Sequence, residues 1–252
     1  MTEIIILSLI QGITEFIPIS SSAHLFLFSN FSNFENQSLS IDVSLHIGSF
    51  IAVIFYFYKD LLNFVKNRRL FLKVLLASIP TMIIGLVLVK LNWIEKIRNI
   101  ELIAWTTIIF GVLLYISDNF KLEKKIETHF NYKSVIFIGL FQILSLIPGV
   151  SRSGIAITAA RFLKFKRLDS AKISFLISIP TLGAVSIFGS YNISNSLDVY
   201  FSLSNLLSVL LSFFFSYLTI KYFLKYIEKF SLKIFIIYRI CLGFILLLFV
   251  YL

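Results

Sequence analysis

Two short stretches of the chain gather residue types that do chemistry on phosphate. The first runs Gln11-Gly12-Ile13-Thr14-Glu15-Phe16-Ile17-Pro18-Ile19-Ser20-Ser21-Ser22-Ala23-His24, and the second Pro148-Gly149-Val150-Ser151-Arg152-Ser153-Gly154. In the first, a carboxylate, an imidazole and three hydroxyls make up a nucleophile, a base and an orienting group. In the second, glycines allow close backbone approach, and a helix starting there offers free N–H groups and a positive end. Arg152 adds a planar fork for phosphate oxygens, and Ser151 and Ser153 add donors, so the stretch reads as an anion site.

The elements that hold these residues lie in a membrane. Of 252 residues, 58% are hydrophobic and 14% charged, with a mean hydropathy of +0.91. One soluble core of this size does not bury that much apolar surface. Six stretches, 41–58, 74–89, 102–117, 171–189, 206–222 and 234–252, read as spans of about 20 apolar residues. Two more, 4–29 and 135–163, are broken in the middle by proline and serines, which remove or compete for helical hydrogen bonds. Broken backbone survives at membrane depth only where protein or a wet cavity satisfies it, so each reads as a re-entrant hairpin. The sequence therefore predicts an all-α, polytopic membrane protein with six transmembrane helices and two re-entrant helical hairpins. The whole of 1–252 is one integral membrane domain, an inverted-topology repeat of about 1–118 and 134–252. Such folds bind their ligand near the midplane, where the broken helices meet.

Charge fits this layout. The net charge is +10, and 18 of the 23 Lys and Arg fall in the loops 59–73, 119–133, 161–172 and 221–233. Loops 30–40 and 190–204 hold none, and 90–100 holds three. With six spans and two hairpins, all four basic loops lie on the cytoplasmic side and both termini lie outside. The charge is thus topology and not a nucleic-acid surface. No Lys or Arg precedes Lys59, so the basic start of a secretory signal peptide is missing.

Five ionisable residues are expected in hydrocarbon, where such groups are costly and functional by default: Glu15, His24, His46, Arg152 and Arg239. Glu15 lies 12 residues beyond Glu3, which places it roughly 18 Å deep, near the midplane. Gln11 is one helical turn earlier on the same face. Each has a plainer reading. Glu15 with Arg152 could be an ion pair tying the hairpins together, His24 a capping imidazole, and the serines an aid to helix contact. His46 is expected to be structural, Arg239 to snorkel to the cytoplasmic face, and the lone Cys241 to be a buried structural thiol. His129, in a charged loop, needs no function. Ser78-Ile79-Pro80-Thr81 and Ser178-Ile179-Pro180-Thr181 are alike but do not fit the repeat offset, and read as chance or as two similar kinks.

The two chemical stretches, in this order on a polytopic chain, resemble the signatures of the undecaprenyl-diphosphatases, also called bacitracin-resistance proteins. The resemblance covers nearly the whole chain, and Tyr238-Arg239 shares in it. It implies hydrolysis of undecaprenyl diphosphate to undecaprenyl phosphate and phosphate, which recycles the lipid carrier of cell-wall (peptidoglycan) synthesis and confers bacitracin resistance. It implies catalytic roles for Glu15, Ser21, His24 and Arg152, and a divalent cation, Mg or Ca, held at Glu15 and Gln11. The residues expected at the phosphates are Ser20, Ser22, Gly149, Ser151, Arg152, Ser153 and Gly154. The expected setting is the bacterial inner (plasma) membrane, with the site near the midplane and open to the outer side. The expected partners are the polyprenyl diphosphate and membrane lipids; no nucleic acid is expected, and a homodimer is left open. Two departures stand out. Gln11 occupies a position that is often Glu, and Ala156 one that is usually Thr, with Thr158 two residues later. The nucleophile, Ser21 or water, stays open. A different lipid-phosphatase superfamily places a catalytic histidine where this chain has Thr158, and so does not fit. The rival function is a transporter or flippase of a phosphorylated lipid or anion.

Overall fold

The computed structural model describes residues 1–32, 38–66, 68–120, 124–195 and 202–252. Parts of the expected loops 30–40, 119–133 and 190–204 lie outside these residues. The described chain is helical: α1 (Thr2–Thr14), α2 (Ser21–Ser32), α3 (Leu39–Tyr56), α4 (Tyr58–Lys66), α5 (Arg68–Lys90), α6 (Trp93–Ile97), α7 (Ile100–Asp118), α8 (Ile126–His129), α9 (Tyr132–Ile143), α10 (Arg152–Phe162), α11 (Arg167–Asn195), α12 (Leu203–Lys229) and α13 (Lys233–Tyr251). Polar caps start several of them. Asn99 accepts from Leu102 N at 2.7 Å, Asn131 from Ser134 N at 3.0 Å and Ser151 from Gly154 N at 3.1 Å.

Among the described residues, six helices (α3, α5, α7, α11, α12 and α13) are long and apolar enough to cross a membrane. They coincide with the six expected spans; α5, α11 and α12 run past them by several residues. The two interrupted stretches each form a pair of shorter helices, α1 with α2 and α9 with α10.

The short helices lie against the long ones. α1 rests on α12, α9 on α5, and α10 on α7 and α11; α3 lies between α11 and α12, and α13 pairs with α7. Glycines set close crossings: a Cβ on Gly48 of α3 would collide with the carbonyl of Val209 on α12. A Cβ on Gly12 would stand 2.9 Å from the backbone of Ser216, and one on Gly139 would stand 2.8 Å from the carbonyl of Ala77. Small residues let membrane helices approach in this way when apolar burial gives no preference for one partner. Polar side chains join the α3–α12 seam. Ser49 is 3.2 Å from Ser212 and 2.9 Å from Ser216, Ser212 donates to the Leu45 carbonyl at 2.7 Å, and Asn205 donates to Ser44 at 3.1 Å. Each such bond is worth about 0.6–2 kcal/mol in a membrane.

A cluster of charges closes the end of α7. The buried Asp118 accepts from Arg161 at 3.2 Å and from Arg167 at 2.8 Å, and from the backbone N–H of Leu232 at 3.3 Å. Arg161, assigned to a loop by the sequence reading, is fully buried. Its guanidinium also donates to the carbonyls of Asp118 and Phe165. Cys241 corrects another expectation, since it is exposed. The inward stripe of α13 is Ile236, Arg239, Gly243 and Leu246, and Cys241 falls off that stripe.

Candidate active site

Both interrupted pairs are built alike at the break. Ser20 (φ 78°) precedes α2 and Ser151 (φ 72°) precedes α10, each in the left-handed region that costs a non-glycine residue energy. Each opens the first turn of the helix that follows: Ser20 O accepts from His24 N at 3.3 Å and Ser151 O from Ile155 N at 2.9 Å. Strain of this kind persists only where its surroundings hold it. Here the holder is Arg239.

Arg239 is fully buried and ties both breaks together. Its Nη1 donates to Pro18 O at 3.2 Å and Val150 O at 3.0 Å, its Nη2 to Gly149 O at 3.1 Å, and its Nε to Thr107 O at 3.2 Å. This corrects the expectation that Arg239 snorkels to the surface. Breaking two helices frees carbonyls at depth, and the five-donor fork satisfies three of them, Pro18 O, Gly149 O and Val150 O, besides Thr107 O of α7. Gly154 leaves room for it, since a Cβ there would sit 3.0 Å from Nη1. Gly149 (φ 89°) has no room for a side chain against Thr106, whose hydroxyl donates to Pro148 O at 2.7 Å.

This clamp brings the two chemical stretches into contact. Arg152 Nη2 donates to Glu15 Oε1 at 2.5 Å, and Ser21 Oγ donates to Glu15 Oε2 at 2.5 Å. Gln11 Nε2 donates to the same Oε2 at 3.2 Å and to Ser49 at 3.3 Å, which joins Glu15 to the α3–α12 seam. Glu15 is buried, and Arg152 is 16% exposed in its side chain. The Ser21 proton therefore points at a carboxylate. Among the described residues, the Arg152 Nε and Nη1 groups have no protein partner.

A cavity of about 300 Å³ opens on this pair. Its polar floor is Glu15, Ser20, Ser21, Ser22, Ser151 and Arg152. Its walls are stripes at helical spacing: Thr81, Met82, Gly85, Leu86 and Val89 on α5, and Thr181, Leu182, Ala184, Val185 and Phe188 on α11. Both stripes run from Pro80 and Pro180 towards the C-terminal ends of their helices, away from Arg69 and Lys73 on one and Arg167 and Lys172 on the other. The two Ser-Ile-Pro-Thr segments thus meet at one cavity, with Thr81 and Thr181 on its wall.

Of the other residues singled out in the sequence, Gly149, Ser153 and Gly154 lie off the cavity wall and shape the loop; Ser153 Oγ donates to Ile17 O at 2.9 Å. His24 also lies off the wall. Its Nδ1–H donates to Ser20 O at 2.6 Å, and its Nε2 accepts from the Tyr238 hydroxyl at 2.6 Å. Thr158 does not stand in for the hydroxyl missing at Ala156, because it donates to its own helix at Gly154 O, 2.8 Å away.

His46, which the sequence singled out but read as structural, is on the cavity wall. The repeated Ser-Ile-Pro-Thr was a signal for its neighbours on the wall, not for His46 itself. For a divalent cation, Glu15 is the one carboxylate on the floor, and Gln11 Oε1 is buried without a hydrogen-bond partner. Among the described residues there is no group of three or more His, Cys, Asp or Glu that could hold a metal by themselves. The set fits a cation shared with a substrate's phosphates, as Mg²⁺ is commonly held.

The chain is similar to known proteins over nearly its whole length. The chain is 49% identical to the undecaprenyl-diphosphatase of Pelagibacter ubique over 99% of its own length and 97% of the relative's. It is 40% identical to that of Saccharophagus degradans (95% and 94% of the two chains) and 34% identical to that of a Ruegeria species (100% and 99%). The family described as bacitracin resistance protein BacA matches residues 4–245. The chain belongs to the bacitracin resistance protein BacA family.

Proposed function

We propose that this chain is an undecaprenyl-diphosphatase, removing the terminal phosphate of undecaprenyl diphosphate. The observation that carries this is the cavity itself: a floor of Glu15, Ser21 and Arg152 beneath two largely apolar walls. It suits an amphiphile whose charged end must reach a nucleophile while its prenyl chain stays in apolar surroundings.

In this reading Ser21 Oγ attacks the terminal phosphorus and Glu15 takes its proton. The anhydride P–O bond breaks and undecaprenyl phosphate leaves. Water then attacks the phosphoserine, phosphate departs, and Ser21 Oγ regains the proton. The free Nε and Nη1 of Arg152 hold the equatorial oxygens as charge builds on them. Ser20, Ser22 and Ser151 are the hydroxyl donors on the floor. His24 fixes the first turn of α2 between the Ser20 carbonyl and Tyr238, and so orients Ser21. A divalent cation at Glu15 and Gln11 would offset the negative charge of the diphosphate.

The assay is phosphate release from undecaprenyl diphosphate by the purified chain in detergent micelles. Phosphate and undecaprenyl phosphate should appear in equal amounts, and a chelator should stop both. Lipid carried across vesicles without phosphate release would contradict the reading.

The layout proposed with it is an inverted repeat in the bacterial plasma membrane, with the α1–α2 and α9–α10 pairs as re-entrant hairpins. α1 on α12 and α9 on α5 are equivalent contacts under that symmetry. The cavity stripes run away from the basic loops, which supports a mouth on the outer side, and both termini lie outside the cytoplasm. A reporter active only in the cytoplasm and fused after Leu252 should give no signal. A strong signal would reverse the assignment.

A further inference from the structure

The charge of Arg152 is already matched by Glu15, 2.5 Å away. The floor of the cavity is therefore near neutral before substrate arrives. A diphosphate brings two or more negative charges into this site, and a buried anion needs compensating charge or donors. Beside any cation at Glu15, His46 is the described wall residue with a ring nitrogen to offer the diphosphate.

His46 is placed for this. It stands on α3, and its Nδ1–H donates to the Asp42 carbonyl one turn earlier at 2.8 Å. That bond fixes the ring and the tautomer. Among the described residues, Nε2 has no partner, in contrast to His24, whose two nitrogens are both engaged. The charged residues that line the cavity with His46 are Glu15 and Arg152. α12, which packs on α3, offers the neutral Asn205, Ser208, Ser212 and Ser216.

The geometry points to His46 as a second phosphate-binding residue of the cavity: its unpartnered Nε2 makes a hydrogen bond to a diphosphate oxygen. This deepens the reading given above and rests on it. Arg152 and His46 then hold the diphosphate from two walls, Arg152 from α10 and His46 from α3. His46 binds the substrate and takes no proton from the nucleophile, which already has Glu15.

The test is the split between KM and kcat for undecaprenyl diphosphate in detergent micelles, using the full chain. His46→Leu should raise KM about ten- to a hundredfold, the worth of a hydrogen bond to a charged group. Its kcat should return to within about threefold of wild type at saturating substrate, which also identifies a folded protein. His46→Gln, which keeps a hydrogen-bonding end, should raise KM less than His46→Leu. An unchanged KM in His46→Leu would overturn the proposal. So would a loss of kcat in both variants at unchanged KM, because that pattern belongs to a proton acceptor. A wild-type chain that releases no phosphate would instead overturn the function on which the proposal rests.

Discussion

Arg152→Lys should lose most of the turnover while the protein still folds. The lysine ammonium retains a charge beside Glu15, so the buried carboxylate is not left alone, a loss that would cost about 3–5 kcal/mol. What disappears is the planar fork. Arg152 donates through Nη2 to Glu15 Oε1 and keeps Nε and Nη1 for substrate. A point charge held by Glu15 has no second edge for phosphate oxygens. The expected loss is on the order of 10²–10³ in kcat, as for removing one preorganised donor at a developing charge. Phosphate release under saturating substrate measures it. Near-normal turnover would mean that the Arg152–Glu15 pair only ties the two breaks together.

Ser21→Ala should go further, to near-complete loss. Ser21 Oγ donates to Glu15 Oε2 at 2.5 Å, an arrangement that leaves its lone pairs free and its proton on a base. If water were the nucleophile instead, Ser21 would be one hydroxyl among several on the floor and its removal would cost modestly. The size of the loss therefore separates the two mechanisms that the sequence leaves open.

The parts of this site that were legible in the sequence were those written in local chemistry. Pro18 and Pro148 mark breaks because proline cannot continue a helix. Serines and glycines flanking them gave the two tips, and the cost of charge in hydrocarbon put Glu15 and Arg152 among five candidate residues. Six spans followed from apolar length alone. The rest depended on which way a helix faces, which tertiary packing decides. Arg239 lies 6 residues beyond Lys233, near enough to an end to read as a snorkelling side chain. Only the packing of α13 on α7 aims it at the carbonyls freed by both breaks. His24 lies three residues after Ser21 and looked like its base. The strained turn at Ser20 instead sets α2 so that the imidazole meets Tyr238. His46 read as structural because nothing near it in sequence is catalytic, yet α3 carries it to the cavity. Cys241 read as buried because a thiol in an apolar run usually is, and α13 happens to turn that face outward.

The most direct measurement of the account is covalent. Purified protein is mixed with undecaprenyl diphosphate labelled in the terminal phosphate, quenched in acid within the first turnover and digested. The account predicts label on the peptide that carries Ser21, as phosphoserine, and none on the Ser21→Ala protein. Rapid phosphate release with no labelled peptide at any quench time, together with substantial turnover by Ser21→Ala, would contradict it.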